Sequence, residues 1–155
     1  MDDKANDKEL FSIINELFSE KIPFNKMLGL RVESISPDCV KVLFHKRDEL
    51  IGHYTRGTLH GGVISSVIDV TGGLSAFMSI QERIPGEALE KRLARFARVN
   101  TIDLRVDFLR PGLGKWFIAS AFTLRTGKKV AVTRIELHND QHELIAVGTG
   151  SYVVA

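Results

Sequence analysis

The chain has 155 residues, 44% hydrophobic and 26% charged, with a formal net charge of +2. That length buries a sizeable core without covalent staples, and so small a charge gives no reason to expect a nucleic-acid partner. A single cysteine, Cys39, excludes an internal disulfide and a cysteine-rich metal site.

The N-terminus, MDDKANDKEL, is polar and acidic, unlike a signal peptide. No stretch has the length of a membrane span without polar breaks, so a cytoplasmic protein is expected. There are no internal repeats or linkers, and residues 1–155 read as one domain. Asp7 is placed to cap a first helix, on which Leu10, Phe11, Ile14, Leu17 and Phe18 form an apolar stripe. Pro23 interrupts it, so residues 1–22 read as an N-terminal helical extension. Segments 29–36 and 39–46 read as strands around a Pro37-Asp38 turn, with Val40, Val42 and Phe44 on one side of the second. An irregular stretch, 47–59, leads into 60–80, which is apolar almost all round, as a buried helix is.

Residues 83–98 read as a helical insertion, whose helix over 86–98 carries Leu89, Leu93 and Phe96 on one face. The last third reads as strands. In 101–109, Ile102, Leu104, Val106 and Phe108 alternate with Thr101, Asp103, Arg105 and Asp107. In 116–125, Trp116, Ile118, Phe122 and Leu124 share a side. Gly127 and Asn139-Asp140 mark hairpins into 129–138 and 143–154. The apolar phase slips between Val132 and Ile135, a sign of a bulge. Antiparallel strands leave one broad face needing cover, and only the long apolar helix is hydrophobic enough to supply it. The expected fold is therefore α+β, an antiparallel sheet of about six strands wrapped around one central helix.

From Gly61 to Gln81 the only charged side chain is Asp69, set among Val67, Ile68 and Val70. An ionised carboxylate buried there costs several kcal/mol unless paired or hydrogen-bonded. One reading has it pairing with an arginine or capping a backbone group. The other starts from His60-Gly61-Gly62, which opens the same helix with two poor helix formers. Glycines admit a ligand close to the backbone, and free amides at a helix N-terminus stabilise negative charge. Gly61 is then an oxyanion donor and Asp69 a base or nucleophile. Eight residues of helix, roughly 12 Å, separate the two, whereas reacting groups sit about 3 Å apart. Antiparallel packing of two such helices brings Gly61 of one subunit to Asp69 of another, so a dimer with shared sites is expected.

These residues resemble the hotdog-fold thioesterases of the phenylacetate-pathway (PaaI-like) type. The stretch GTLHGGVISSVIDVTGG (57–73) is similar to their signature, and TIDLRVDFLRP (101–111) to their characteristic strand and exit turn. With the 83–98 insertion, the pattern resembles a bacterial subgroup acting on medium- and long-chain acyl-CoA. The resemblance implies a hotdog dimer or dimer of dimers that hydrolyses acyl-CoA without a cofactor. It implies that the Gly61 amide polarises the thioester carbonyl and that Asp69 of the partner subunit attacks or activates water. It further implies that His60 helps to orient the thioester region, that Gly62 contacts the substrate and that Thr101 stands near the carboxylate. Where related enzymes often carry Asn, six residues before the histidine, this chain has Tyr54, with His53 and Thr55 beside it as alternatives for that role.

Arg83, Lys91, Arg92, Arg95 and Arg98 face only Glu87 and Glu90 in the insertion. This basic run is either a solvated face or a phosphate contact for coenzyme A through Arg92 and Arg95, with Arg110, Lys128 and Lys129 as rival phosphate contacts. His138 and His142 are spaced like metal ligands but flank a turn, and no metal site is expected. Ser65 and Ser66 lack the G-x-S-x-G setting of a nucleophile. The competing functions are a non-catalytic acyl-CoA-binding regulator or carrier and, behind it, a dehydratase or isomerase acting on an acyl thioester.

Overall fold

A computed structural model describes residues 3–155. Helix α1 spans Asp3–Glu16 and buries Leu10 and Ile14. Asp7 therefore lies inside the helix rather than capping it, and its carboxylate accepts a hydrogen bond from Arg92. The chain passes through one wide π turn, Leu17–Lys21, and restarts as α2, Pro23–Leu28. Proline at the first position suits a helix start, and it holds Ile22 extended. Gly29 ends α2 with φ 72°. The helical segment thus runs beyond residue 22 and takes over the start of the expected 29–36 strand.

Strands β1 (Arg31–Ile35) and β2 (Val40–His45) pair antiparallel, with Val40, Val42 and Phe44 fully buried. The stretch read as irregular holds a short 3-10 turn, Asp48–Leu50, and a two-stranded ribbon of β3 (Ile51–His53) and β4 (Thr58–Leu59). Helix α3 then runs from Gly61 to Gln81. It is long and apolar enough to cross a membrane, which the sequence reading did not anticipate, but most of it is buried in this fold. Each large side chain that it buries, such as Ile68, Phe77 and Met78, contributes roughly 1.5–3 kcal/mol. Helix α4 covers only Leu89–Phe96, shorter than expected, and Phe96 meets Phe77 edge-on with ring centroids 5.2 Å apart.

Strands β5 (Asn100–Phe108), β6 (Trp116–Thr126), β7 (Val130–Asn139) and β8 (Leu144–Val153) complete the main sheet. The described residues give it the order β1-β2-β6-β7-β8-β5, antiparallel throughout, with α3 packed on one face. This is the expected architecture. The residues grouped on β6 share its outer side, and the strand phases differ from the expected ones on β7 and β5.

On β6 the inward residues are Phe117, Ala119 and Ala121, while Trp116, Ile118, Phe122 and Leu124 face outward. The reason is the closeness of α3, which leaves room only for small side chains beneath much of it. Ala131, Ala146, Gly148 and Gly150 continue that bed, and a Cβ on Gly148 would overlap Ile68. The bulge expected within β7 lies instead on β6, where pairing slips between Thr123 and Arg125. Ala131, Thr133, Ile135 and Leu137 hold one unbroken inner face on β7. On β5 the pairing slips between Thr101 and Asp103, so strict alternation fails there.

Tyr152, 1% exposed, fills the space between β8 and α3. A Cβ on Gly150 would lie 2.5 Å from its hydroxyl oxygen. Gly150→Ala is expected to cost about 1–3 kcal/mol through overpacking, read as a lowered thermal midpoint. An unchanged midpoint would mean that the ring has room to shift.

Candidate active site

The first four N–H groups of an α-helix have no acceptor within it. In α3, three of them find one. His60 N–H donates to the Leu50 carbonyl at 2.9 Å, Gly62 N–H to His60 Nδ1 at 2.8 Å, and Val63 N–H to the His60 carbonyl at 3.0 Å. Gly61 N–H alone has no acceptor among the described residues. His60 thus does the work usually given to Ser or Asp at a helix cap, with Nδ1 as acceptor and Nε2 left to carry the ring proton. The two glycines separate in role. A Cβ on Gly62 would crowd His60 Nδ1 at 2.9 Å, so the cap itself requires that glycine. A Cβ on Gly61 would meet only the Phe108 ring, at an ordinary 3.5 Å.

Two turns further on, the partly buried Asp69 is held at two points. Thr101 Oγ1 donates to Asp69 Oδ1 at 2.8 Å, and Tyr152 Oη donates to the Asp69 main-chain carbonyl at 2.9 Å. No lysine or arginine pairs with the carboxylate among the described residues. The Thr101 contact depends on the β5 bulge. Thr101 sits opposite inward-facing Tyr152, and Leu104 opposite inward-facing Gly150, with the extra residue taken up between them. Thr101 therefore shares the inner face, where alternation had set it outward. Burial raises the Tyr152 pKa, and the nearby Asp69 carboxylate raises it further, so the phenol stays a protonated donor.

Two cavities flank these groups. One, of about 300 Å³, is lined by Asp69 and Thr101 together with Phe18, Ile22, Phe96 and Val99. The other, of about 390 Å³, is lined by Gly61 and Phe108 with Arg56 and Arg110. Arg110 also donates to the Leu144 carbonyl at 2.9 Å. The helical extension and the insertion, read in sequence as additions at opposite sides of the motif, both contribute walls to the Asp69 cavity.

The remaining candidates stand apart from both cavities. Tyr54 is 92% exposed in the β3–β4 turn, stacked on His53, while His53 and Thr55 bond to each other. Arg92 is buried, donating to Gln81 at 3.0 Å and to Asp7 at 2.9 Å, and so ties α4 to α3 and α1. Arg95 is held by both oxygens of Glu87, at 2.9 and 3.0 Å, which lowers the Glu87 pKa. Neither guanidinium lines the Asp69 or the Gly61 cavity, and each is already engaged by a carboxylate. Ser65 and Ser66 both donate to the Gly62 carbonyl. The sequence reading missed Tyr152 and Arg56; the one available signal for Tyr152 was a large aromatic after the small alternating Gly148 and Gly150.

The thioesterase superfamily profile matches residues 56–146, more than half of the chain. The sequence is 39% identical to the medium/long-chain acyl-CoA thioesterase YigI of Escherichia coli K12 over 150 residues, 95% of each chain. A solved structure from Shewanella oneidensis, of a protein related to the thioesterase superfamily, matches with TM-score 0.91 at 40% identity, covering 96% of this chain and 97% of that one. A candidate thioesterase from Syntrophus aciditrophicus matches with TM-score 0.89 at 55% identity, covering 97% and 99%. The matches cover nearly the whole chain and share its fold, a six-strand antiparallel sheet around one long helix, and the chain belongs to the thioesterase superfamily of hotdog-fold hydrolases.

Proposed function

We propose that this protein hydrolyses medium- to long-chain fatty acyl-CoA to free fatty acid and CoA, as a homodimer, alone or paired into a tetramer, with two shared active sites. The substrate class follows its similarity to the acyl-CoA thioesterase YigI. The observation that carries the shared site is the course of β5, which runs antiparallel to α3. Thr101 meets Asp69 at one end, and Phe108 lies against Gly61 at the other. The same strand forms an edge of the sheet, with Ile102 54% and Phe108 55% exposed. Such an edge is a template for another strand. Two copies joined through β5 about a two-fold axis exchange its ends, which brings Gly61 of one copy to Asp69 of the other.

In that assembly the thioester oxygen accepts from the Gly61 N–H, with the α3 dipole behind it. As a base, Asp69 takes a proton from water, whose oxygen attacks the carbonyl carbon. The C–S bond then breaks, and the departing sulfur takes the proton from Asp69. As a nucleophile, Asp69 instead forms a mixed anhydride and expels the thiolate, and water then cleaves the anhydride. Either course suits so sparse a site, since a thiol of pKa about 8.5 leaves without a dedicated acid. Thr101 orients the carboxylate. Arg56 and Arg110 border the Gly61 cavity and are the proposed phosphate contacts; Arg92 and Arg95 have no part in this reading.

Asp69→Ala is expected to cut thiol release from acyl-CoA by about 10²–10⁴-fold with little change in thermal midpoint. Turnover equal to wild type would remove Asp69 from the chemistry.

The shared site has its own test in Gly61→Pro. Proline at the first helical position keeps the helix start and removes the N–H, and His60, with φ −64° and ψ 137°, already has the extended backbone that a following proline needs. Inactive Gly61→Pro and inactive Asp69→Ala subunits, mixed and reassembled, are expected to restore roughly a quarter of wild-type sites, since half the dimers are hybrids with one complete site. No recovery in verified hybrids would sink the shared-site geometry.

A further inference from the structure

Gly72 and Gly73 stand side by side in the middle of α3, and protein packing accounts for only one of them. A Cβ on Gly72 would overlap the Tyr152 hydroxyl and crowd Thr133 Oγ1 at 2.9 Å, so nothing larger than hydrogen fits. Gly73 is different. A Cβ there would meet Tyr152 Cε1 at 3.5 Å, Tyr152 Cδ1 at 3.7 Å and Val99 Cγ1 at 3.9 Å, all ordinary contacts. Its backbone is not left-handed. Alanine therefore fits the position, and alanine is a far better helix former. The protein keeps glycine where its own structure has no use for one.

The position of Gly73 supplies the reason. It lies four residues after Asp69, on the same face of the helix one turn along, and it lines the cavity of about 300 Å³ that holds Asp69 and Thr101. Phe96, another wall of that cavity, packs on Phe77, which is eight residues beyond Asp69 and so about 12 Å further along α3. A chain entering beside the carboxylate and running toward Phe96 passes over Gly73. We infer that Gly73 is a specificity-determining residue, whose missing side chain keeps open the passage through which a straight alkyl chain runs from the thioester at Asp69 toward Phe96. This rests on the acyl-CoA reading above and adds where the acyl chain lies and what limits it.

The test sets stability against activity. Thermal midpoints and kcat/KM for butanoyl-, octanoyl-, dodecanoyl- and hexadecanoyl-CoA are measured for wild type, Gly73→Ala and Gly73→Leu. Gly73→Ala is expected to raise the thermal midpoint, yet to lower kcat/KM for the two longest substrates about tenfold. Butanoyl-CoA is expected to change by no more than about twofold. Gly73→Leu is expected to lose the long substrates by about a hundredfold and to shift the optimum to shorter chains. A merely structural role cannot give a more stable enzyme with a shortened chain preference. An unchanged ratio of long to short substrates in both variants would overturn the inference, as would a lowered midpoint for Gly73→Ala. If wild type releases thiol from none of the four, the acyl-CoA reading itself falls. The passage is then read by titrating dodecanoate calorimetrically. Binding to wild type and not to Gly73→Leu supports it, and equal binding, or none to wild type, overturns it.

Discussion

The closeness of α3 to the sheet governs the rest of this molecule. Ala119, Ala121, Ala131 and Ala146 are fully buried beneath it, and Gly148 and Gly150 admit Ile68 and Tyr152 where a methyl group would collide. Interiors packed at this density tolerate little change of volume, so helix and strands hold each other in one register. The same closeness lets short hydroxyl side chains bridge the layers. Ser75 meets Thr123 at 3.1 Å, Thr126 donates to Ser79 at 2.8 Å, and Tyr152 reaches the Asp69 carbonyl. Buried polar groups are costly without partners. Those three contacts are partnered across the layer and tie turns of the helix to fixed points on the sheet, whereas Thr133 Oγ1, which also faces α3, has no partner among the described residues.

The carboxylate inherits that precision. An aspartate on an otherwise uncharged helix has many orientations open to it unless something outside the helix selects one. Thr101 makes the selection, and it does so only because β5 accommodates one extra residue between Thr101 and Asp103. A single-residue slip turns a side chain to the other face of a sheet. Without the bulge, the hydroxyl faces away and the inner position opposite Tyr152 passes to an apolar side chain. The local irregularity of the strand and the orientation of the carboxylate are therefore one feature seen from two elements.

This explains what was readable in the sequence and what was not. The helix from Gly61 to Gln81 and the alternation of Val40, Val42 and Phe44 were legible because large apolar residues mark the buried side directly. The inner face of β6 was not, because its buried residues include two alanines while Trp116 and Ile118 on the outer face are larger and more hydrophobic. Size is a poor guide wherever a helix presses close. Asp69 and Gly61 were legible as chemical oddities against their surroundings. The fate of Arg92 was not, since its partners Gln81 and Asp7 are remote in sequence and only the packing of α4 brings them within reach. Bulges stayed hidden for a similar reason: register belongs to a pair of strands, and one strand read alone reports only its own pattern.

Four glycines in α3 show how much a single letter conceals. Gly62 makes room for the His60 cap, and Gly72 makes room for Tyr152. Both are required by neighbouring protein atoms. Gly61 and Gly73 are not, and each borders a cavity, the first with an unbonded N–H and the second beside the carboxylate. An interior glycine costs a helix about 1 kcal/mol relative to alanine, a sacrifice that α3 can absorb because burial of Ile68, Phe77 and Met78 stabilises it far more. Where packing demands a glycine, that sacrifice is structural. Where packing leaves space unused, beside a carboxylate already oriented by Thr101, the space is best understood as belonging to the substrate.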